Sequence, residues 1–213
     1  PVRPGQPPRF GVAPDAEIFV GKVLSDAGRG ADGGILAGLQ WAISNRCEIV
    51  SMSLGGAVLP GQSHSVVFEQ AAQRALQLGT LILAAAGNDS RRPQSVQPVS
   101  HPANCPSIFA VGAVDSALSV AWFSNGSINA GGGSVDIVGP GVDCRSTWIM
   151  PIQYKSESGT SMATPHVAGI AALIAEANAS ARGANLHFQL VQTARRLNGS
   201  ARDVGAGLAQ APV

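Results

Sequence analysis

Charge is scarce in this sequence, and what there is nearly cancels. Of 213 residues only 13% are Asp, Glu, Lys or Arg, and 14 cations against 13 anions leave a formal net charge of +1. Its cations are scattered, with Arg91-Arg92 and Arg195-Arg196 as the only doublets. Such a chain lacks the basic stripe that nucleic acid or an anionic membrane surface demands, so neither is expected as a partner. No apolar run reaches the roughly 18 residues of a membrane span. No charged-then-apolar signal peptide opens the chain, which starts at Pro1-Val2-Arg3-Pro4 as a processed or excised piece would. Cysteine is limited to Cys47, Cys105 and Cys144, an odd number without metal-type spacing. No zinc or other metal ligand set is expected from it, while one disulfide plus a free thiol and three free thiols both fit. Aromatics are only 5% although hydrophobic residues reach 45%. The apolar mass is therefore Ala, Val, Leu and Ile, which suits a sheet covered by closely packed helices.

The first ten residues, PVRPGQPPRF, hold four prolines without periodicity and read as a surface loop or linker. Residues 11–213 then read as one folded unit. Ala16–Leu24 looks like a buried strand. Asp32 is placed to cap a helix running to about Asn45, with Ile35, Leu39, Ala42 and Ile43 on one face. Glu48–Leu54 is a second apolar strand, followed by a helix near Ser63–Leu78 and a strand at Thr80–Ala85. Ser107–Val114 and Val135–Val138 supply further strands, and Ser161–Asn178 and Asn185–Arg196 the last two helices. Apolar strands alternating with amphipathic helices predict an α/β fold: a doubly wound, mostly parallel sheet with helices on both faces. Ligands of such sheets bind beyond the carboxyl ends of the strands. Those ends are Ser53-Leu54-Gly55-Gly56 and Ala85-Ala86-Gly87-Asn88.

Gly28-Arg29-Gly30-Ala31-Asp32-Gly33 matches the G-x-G-x-x-G pattern of dinucleotide-binding turns. The acidic residue that should meet a ribose, Glu48, stands at the wrong end of the next strand, and Ser25-Asp26-Ala27 lengthens a turn that should be tight. A glycine-rich turn before a helix is the better reading. The string Gly159-Thr160-Ser161-Met162-Ala163-Thr164-Pro165-His166 is more informative. Ser161 opens a helix, so its hydroxyl lies in the positive field of the helix N-terminus with free backbone N–H groups beside it. Pro165 is tolerated on this reading because first-turn N–H groups lack intrahelical partners. The pattern is not G-x-S-x-G, since residue 163 is Ala, so a lipase-type nucleophile elbow is unsupported. On helix chemistry alone Ser161 reads equally well as a simple cap, and Asn88 alone would read as a turn former.

The whole string resembles, almost residue for residue, the nucleophile motif of the subtilisin-like serine proteases. The resemblance extends in order over nearly the full chain, through Gly11-Val12-Ala13-Pro14, Lys22-Val23-Leu24, Ser51–Gly56, Ala84–Asn88, Ala110–Asp115, Gly139–Val142 and Gly205–Leu208. It implies a serine endopeptidase of three-layer architecture acting on polypeptides. Ser161 is then the nucleophile, and Asn88 donates its side-chain N–H to the oxyanion together with the backbone N–H of Ser161. Ser53, Leu54 and Gly55 would pair as an edge strand with an extended substrate. Ala85, Ala86 and Gly87 would form the other wall of the pocket for the residue before the cut, and Ser100, just ahead of His101-Pro102, its floor. The Ser100 hydroxyl, where the family often has Gly, is expected to make that pocket shallower. The resemblance also suggests a cis bond before Pro102 and a secreted location. It requires no cofactor, and it allows calcium as a structural ion.

The same resemblance shows a gap. The family draws its general base and orienting carboxylate from H-G-T-H and D-[ST]-G motifs upstream of the segment that matches Gly11–Pro14, and neither occurs here. His64, His101, His166 and His187 each have plainer roles, as have Asp115 and Asp32. The expectation is a peptidase domain represented by its carboxyl-terminal portion and inactive alone, which needs a partner segment carrying Asp and His. A nicked enzyme holding that segment non-covalently is a variant of this reading. A degenerate member that binds peptides without cutting them is the alternative. Sheet strands missing from the front would leave apolar surface uncovered, so marginal stability or association is expected.

Overall fold

The computed structural model describes residues 10–212 except Pro60, so the linker read at 1–10 lies outside the described residues apart from Phe10. At its centre is a four-stranded parallel sheet. Its strands are β1 (Ile49–Met52), β2 (Leu81–Ala85), β3 (Phe109–Val114) and β4 (Ile137–Pro140), side by side in chain order. Successive side chains along a strand face opposite ways. Accordingly Ile82 and Ala84 join a core on one side, with Ile35 and Leu39 of α1 (Asp32–Ser44) and Phe68, Ala72 and Ala75 of α2 (Val66–Gln77). Leu81 and Leu83 join a core on the other, with Val167, Ile170 and Ala171 of α3 (Thr160–Ala177) and Leu186 and Leu190 of α4 (Gly183–Thr193). Every residue of β2 and β3 is buried, as a strand covered on both faces must be. The α/β three-layer architecture read from the sequence is the one observed.

Several local expectations need correction. Ala16–Leu24 is not a strand, and Ile18 and Val20 are 75% and 80% exposed. Its apolar run reads as a buried strand, but among the described residues no strand lies alongside to pair with it. Phe19 instead packs against Trp41 of α1, their ring centroids 6.3 Å apart. Asp32 does not cap α1: Ala31 holds the N-cap position with no side-chain bond, and Asp32 is the first helical residue. The Gly28–Gly33 stretch follows no strand and forms a turn in which Ser25 N–H donates to Arg29 O at 2.8 Å. Only the β1–β2 crossover carries a helix; β2–β3 and β3–β4 are joined by loops. The last predicted helix, Asn185–Arg196, is α4, which contains His187, and a short α5 (Ala201–Val204) follows it. A hairpin of β5 (Cys144–Thr147) and β6 (Tyr154–Glu157) was not foreseen at all. All three cysteines are free thiols, and burial pushes Cys105 up to about 12. The His101–Pro102 bond is cis, as the resemblance suggests.

Asp136, just before β4, accepts a hydrogen bond from Ala110 N–H of β3 at 2.7 Å. Desolvation outweighs that bond and raises its pKa from the usual 3.8 to about 7. Between those values the folded state binds more protons than the unfolded one, so stability falls as pH rises and levels off above pH 7. Asp136→Asn keeps an acceptor for Ala110 and carries no charge. It is expected to melt higher than the parent at pH 8 and to lose the decline in thermal stability between pH 5 and 7, measured by calorimetry across that range.

Candidate active site

The carboxyl ends of β1 and β2 and the start of α3 meet at one place. After β2 the chain turns through Gly87, whose φ of +108° suits glycine and whose missing side chain leaves room for Ser100 Oγ and Asn125 Nδ2 behind it. Asn88 follows. Its amide oxygen accepts from the backbone N–H of Thr160 at 2.8 Å and from the Thr160 hydroxyl at 3.0 Å, while Gly87 N–H donates to that same hydroxyl oxygen at 3.1 Å. Thr160 thus clamps the end of β2 to the first turn of α3. Its bonds use up the oxygen of the Asn88 amide and leave its N–H₂ group without a partner among the described residues. The backbone N–H of Ser161 is likewise unpartnered, since the first turn of a helix has no acceptor for it. A single point one Cβ length from the Gly159 backbone lies 3.6 Å from both Asn88 Nδ2 and Ser161 N. Two free donors therefore border the same space beside Ser161, together with Met162 Sδ at the same 3.6 Å.

Pro165 has a different role from the one its sequence position suggested. The helix starts at Thr160, so Pro165 lies beyond the first turn. Its N–H would have bonded to Ser161 O; lacking one, it leaves that carbonyl free. The Ser53 hydroxyl takes the vacancy, donating to Ser161 O at 2.7 Å, and the Ser161 hydroxyl points back to Ser53 O at 3.5 Å. Ser53-Leu54-Gly55 continues beyond β1 as an extended stretch in which Ser53 and Gly55 are exposed. Gly56 exchanges backbone hydrogen bonds with His101, at 2.8 and 2.9 Å. That bridge ties the stretch to the loop carrying Ser100.

Opposite it lie Ala85 and Ala86, both buried, then Gly87. Ser100 is 3% exposed and sits behind Gly87 in a polar network. Its hydroxyl donates to Asp89 Oδ2 at 3.4 Å, and Asn125 Nδ2 donates to Asp89 Oδ2 at 3.1 Å and to Ser100 Oγ at 3.3 Å. Asn125 Oδ1 in turn accepts from the N–H groups of Asp89 and Ser90 at 2.9 and 3.0 Å. The structure therefore brings together Ser161, Asn88, Ser53, Leu54, Gly55, Ala85, Ala86, Gly87 and Ser100. It adds Thr160, Asp89 and Asn125, which sequence reasoning passed over. Thr160 stood inside the quoted motif, whereas Asn125 lies 37 residues beyond Asn88 and gave no signal.

No imidazole reaches Ser161 among the described residues. His166 Nδ1 bonds to Met162 O of its own helix at 2.7 Å, and His64 Nδ1 to Gly131 O at 3.1 Å. His101 packs edge-on against Phe68, and His187 against Phe109, where burial lowers its pKa. Asp115 accepts from the N–H groups of Ala117 and Ser119 in a turn. Nor do any three His, Cys, Asp or Glu side chains among the described residues converge to form a carboxylate cage for calcium.

The Subtilase family model matches residues 3–207. The chain belongs to the subtilase family. Subtilisin BL of Lederbergia lenta is 41% identical over 202 residues, covering 95% of this chain and 69% of that protein. Alkaline elastase YaB of Bacillus sp. (strain YaB) is 40% identical, covering 95% of this chain and 49% of its own length. Subtilisin E of Bacillus subtilis (strain 168) is 39% identical over 90% of this chain and 47% of its own length. The subtilase chain thus spans between about half and two thirds of these relatives.

The Thr160 clamp yields a prediction. Thr160→Val leaves the half-buried Gly87 N–H without an acceptor and removes the Thr160 hydroxyl from Asn88, and should destabilise the fold by about 1–3 kcal/mol. Thr160→Ser, which keeps the hydroxyl, should lose less than about 1 kcal/mol. Urea denaturation of the two variants beside the parent checks the ordering.

Proposed function

We propose that the protein is a serine endopeptidase that cleaves polypeptides through an acyl-enzyme on Ser161, and that this chain is the carboxyl-terminal portion of its peptidase domain. The observation that carries the reading is that two unpartnered donors, Asn88 Nδ2 and Ser161 N–H, border one space beside a serine at a helix N-terminus. The Ser161 oxygen attacks the scissile carbonyl while its proton passes to a base. The carbonyl oxygen becomes an anion held by the two donors and by the positive end of α3. Collapse expels the amine, which takes up the proton, and water then attacks the acyl carbon along the reverse route to free the acid. Ser53-Leu54-Gly55 would hold the substrate backbone, with the side chain before the cut between that stretch and Ala85-Ala86-Gly87.

The base is the missing part. With His64, His101, His166 and His187 all engaged elsewhere, an upstream segment carrying Asp and His is the source we infer for it. The chain alone is inactive on this reading. The chemistry needs no cofactor, and no step passes through a metal. Secretion, which the resemblance implies, belongs to the same proposal. The second reading, a peptide-binding pseudoprotease, draws on the Ser161 hydroxyl facing a carbonyl rather than an imidazole. A coding region upstream that lacks D-[ST]-G and H-G-T-H would favour it.

Treatment with a fluorophosphonate serine probe followed by intact-mass measurement tests the proposal. The chain alone should give no adduct. A chain extended upstream to include the Asp and His motifs should give one adduct per molecule, mapped to Ser161, and Asn88→Ala should slow peptide cleavage by about 10²–10³-fold. An extended chain with both motifs but no label on Ser161 would sink the reading. Ser100 supplies a second test in that active form. Its hydroxyl makes the pocket shallow, so cleavage after Leu or Ala should match or exceed cleavage after Phe, and Ser100→Gly should shift the ratio toward Phe. A clear preference for Phe in the parent counts against a shallow pocket.

A further inference from the structure

We infer that the β5–β6 hairpin is a membrane-surface anchor whose tip enters a bilayer bearing anionic headgroups. The hairpin has little beneath it beyond the Phe10 ring, whose centroid lies 5.5 Å from that of Tyr154: all of its ladder residues are exposed except Cys144 and Glu157, which are partly so. Yet its tip reads Trp148-Ile149-Met150-Pro151-Ile152, with Ile149 76%, Met150 73% and Ile152 57% exposed. Side chains of this kind, contiguous and in water, stabilise no core and mark a surface that meets an apolar phase.

Three features favour a bilayer over a protein partner. The tip backbone is satisfied in part from within, and its remaining polar groups, Ile149 and Met150 N–H among them, can stay in the hydrated headgroup layer that an interfacial segment occupies. Trp148 N–H donates to Gln153 O at 2.6 Å, Ile152 N–H to Ile149 O at 3.1 Å and Tyr154 N–H to Ile152 O at 2.8 Å, and Pro151 has no N–H to satisfy. Next, aromatic and cationic groups form a collar behind the aliphatic tip on both faces of the hairpin. Arg145 lies 5.9 Å from the Tyr154 ring on one face, and Lys155 lies 4.6 Å from the Trp148 ring on the other. Amphipathic rings and long cations in that order are what a headgroup layer accommodates. Finally, Lys155 pairs with Glu157 at the base, whereas Arg145 has no carboxylate partner among the described residues and is free to meet a phosphate. The turn lies past the last ladder pair, Thr147 and Tyr154, and projects beyond it by roughly the 5–10 Å to which interfacial segments sink. The overall charge balance of the chain gave no hint of this, because the signal is local.

The test is co-sedimentation of the full chain with vesicles of phosphatidylcholine alone and of phosphatidylcholine mixed with phosphatidylglycerol. The parent should bind the anionic vesicles, and Ile149→Ser/Met150→Ser should weaken that binding by about tenfold or more. Arg145→Gln should weaken it about fivefold on anionic vesicles and leave binding to neutral ones unchanged. Both variants change solvent-exposed side chains, so circular dichroism should match the parent. In a Trp41→Phe/Trp122→Phe background, emission from Trp148 should shift to the blue on adding anionic vesicles. Failure of the parent to sediment, equal binding by the tip variant, or unmoved Trp148 emission each overturns the anchor. Self-association that the tip substitutions abolish, without vesicle binding, overturns it in favour of a protein contact.

Discussion

The arrangement around Ser161 depends on one side chain, Thr160. The end of a parallel strand and the start of a helix on the opposite side of the chain have no covalent reason to stay in register. Thr160 gives them one, by accepting from Gly87 with its hydroxyl oxygen while its own N–H and O–H both go to Asn88. A threonine suits this position because a single small hydroxyl donates and accepts at once, and because it is fully buried, where an unmade bond costs most. The consequence reaches further than stability. Fixing the Asn88 oxygen fixes which way its amide faces, so the N–H₂ group is turned outward with no competing acceptor. A donor held in place before charge develops loses nothing to reorganisation when it does.

A second constraint runs from Pro165 to the Ser53–Gly55 stretch. Proline inside a helix removes a bond four residues back, and here that residue is Ser161. The freed carbonyl is then held by the Ser53 hydroxyl, which lies just past β1. A local defect in α3 thereby becomes a tether between the helix and the neighbouring edge of the sheet. The Gly56–His101 bridge extends the tether to the loop of Ser100. Ser161, the Ser53–Gly55 stretch and Ser100 are linked through these few polar contacts rather than through the apolar cores, which lie deeper and set only the layers.

This division explains what the sequence disclosed. β2 and β3 were legible because a strand covered on both faces has to be apolar throughout, and LILAA and FAVGAV are. Ser161 and Asn88 could be singled out because each stands inside a short contiguous motif, Gly159–His166 and Ala84–Asn88. Ala16–Leu24 misled because apolar composition states that a segment suits burial, whereas a strand also needs a neighbour to bond. The β5–β6 hairpin was hidden by its polar ladder, CRST against YKSE, which shows no alternation because neither face packs on a core, the Phe10 ring against Tyr154 aside. Asn125 was hidden differently. Its partners Asp89, Pro98 and Ser100 all lie 25 or more residues away, and a loop asparagine carries no periodic signature.

The two halves of the chemistry are also separable in space. Asn88 Nδ2, the Ser161 N–H and the Ser161 hydroxyl are positioned by contacts among the ends of β1 and β2 and the start of α3, and among the described residues no imidazole contributes to holding them. Electrostatic stabilisation and proton transfer are distinct contributions to acyl transfer, and the first retains value without the second. A fold that assembles the donors independently of the base can therefore keep its peptide-facing geometry whatever supplies the proton acceptor. The Ser161 hydroxyl shows the other side of that independence. Lacking a basic nitrogen, it turns to Ser53 O at 3.5 Å, the outer limit of a hydrogen bond. An acceptor of the right basicity brought within about 3 Å has only that weak contact to displace.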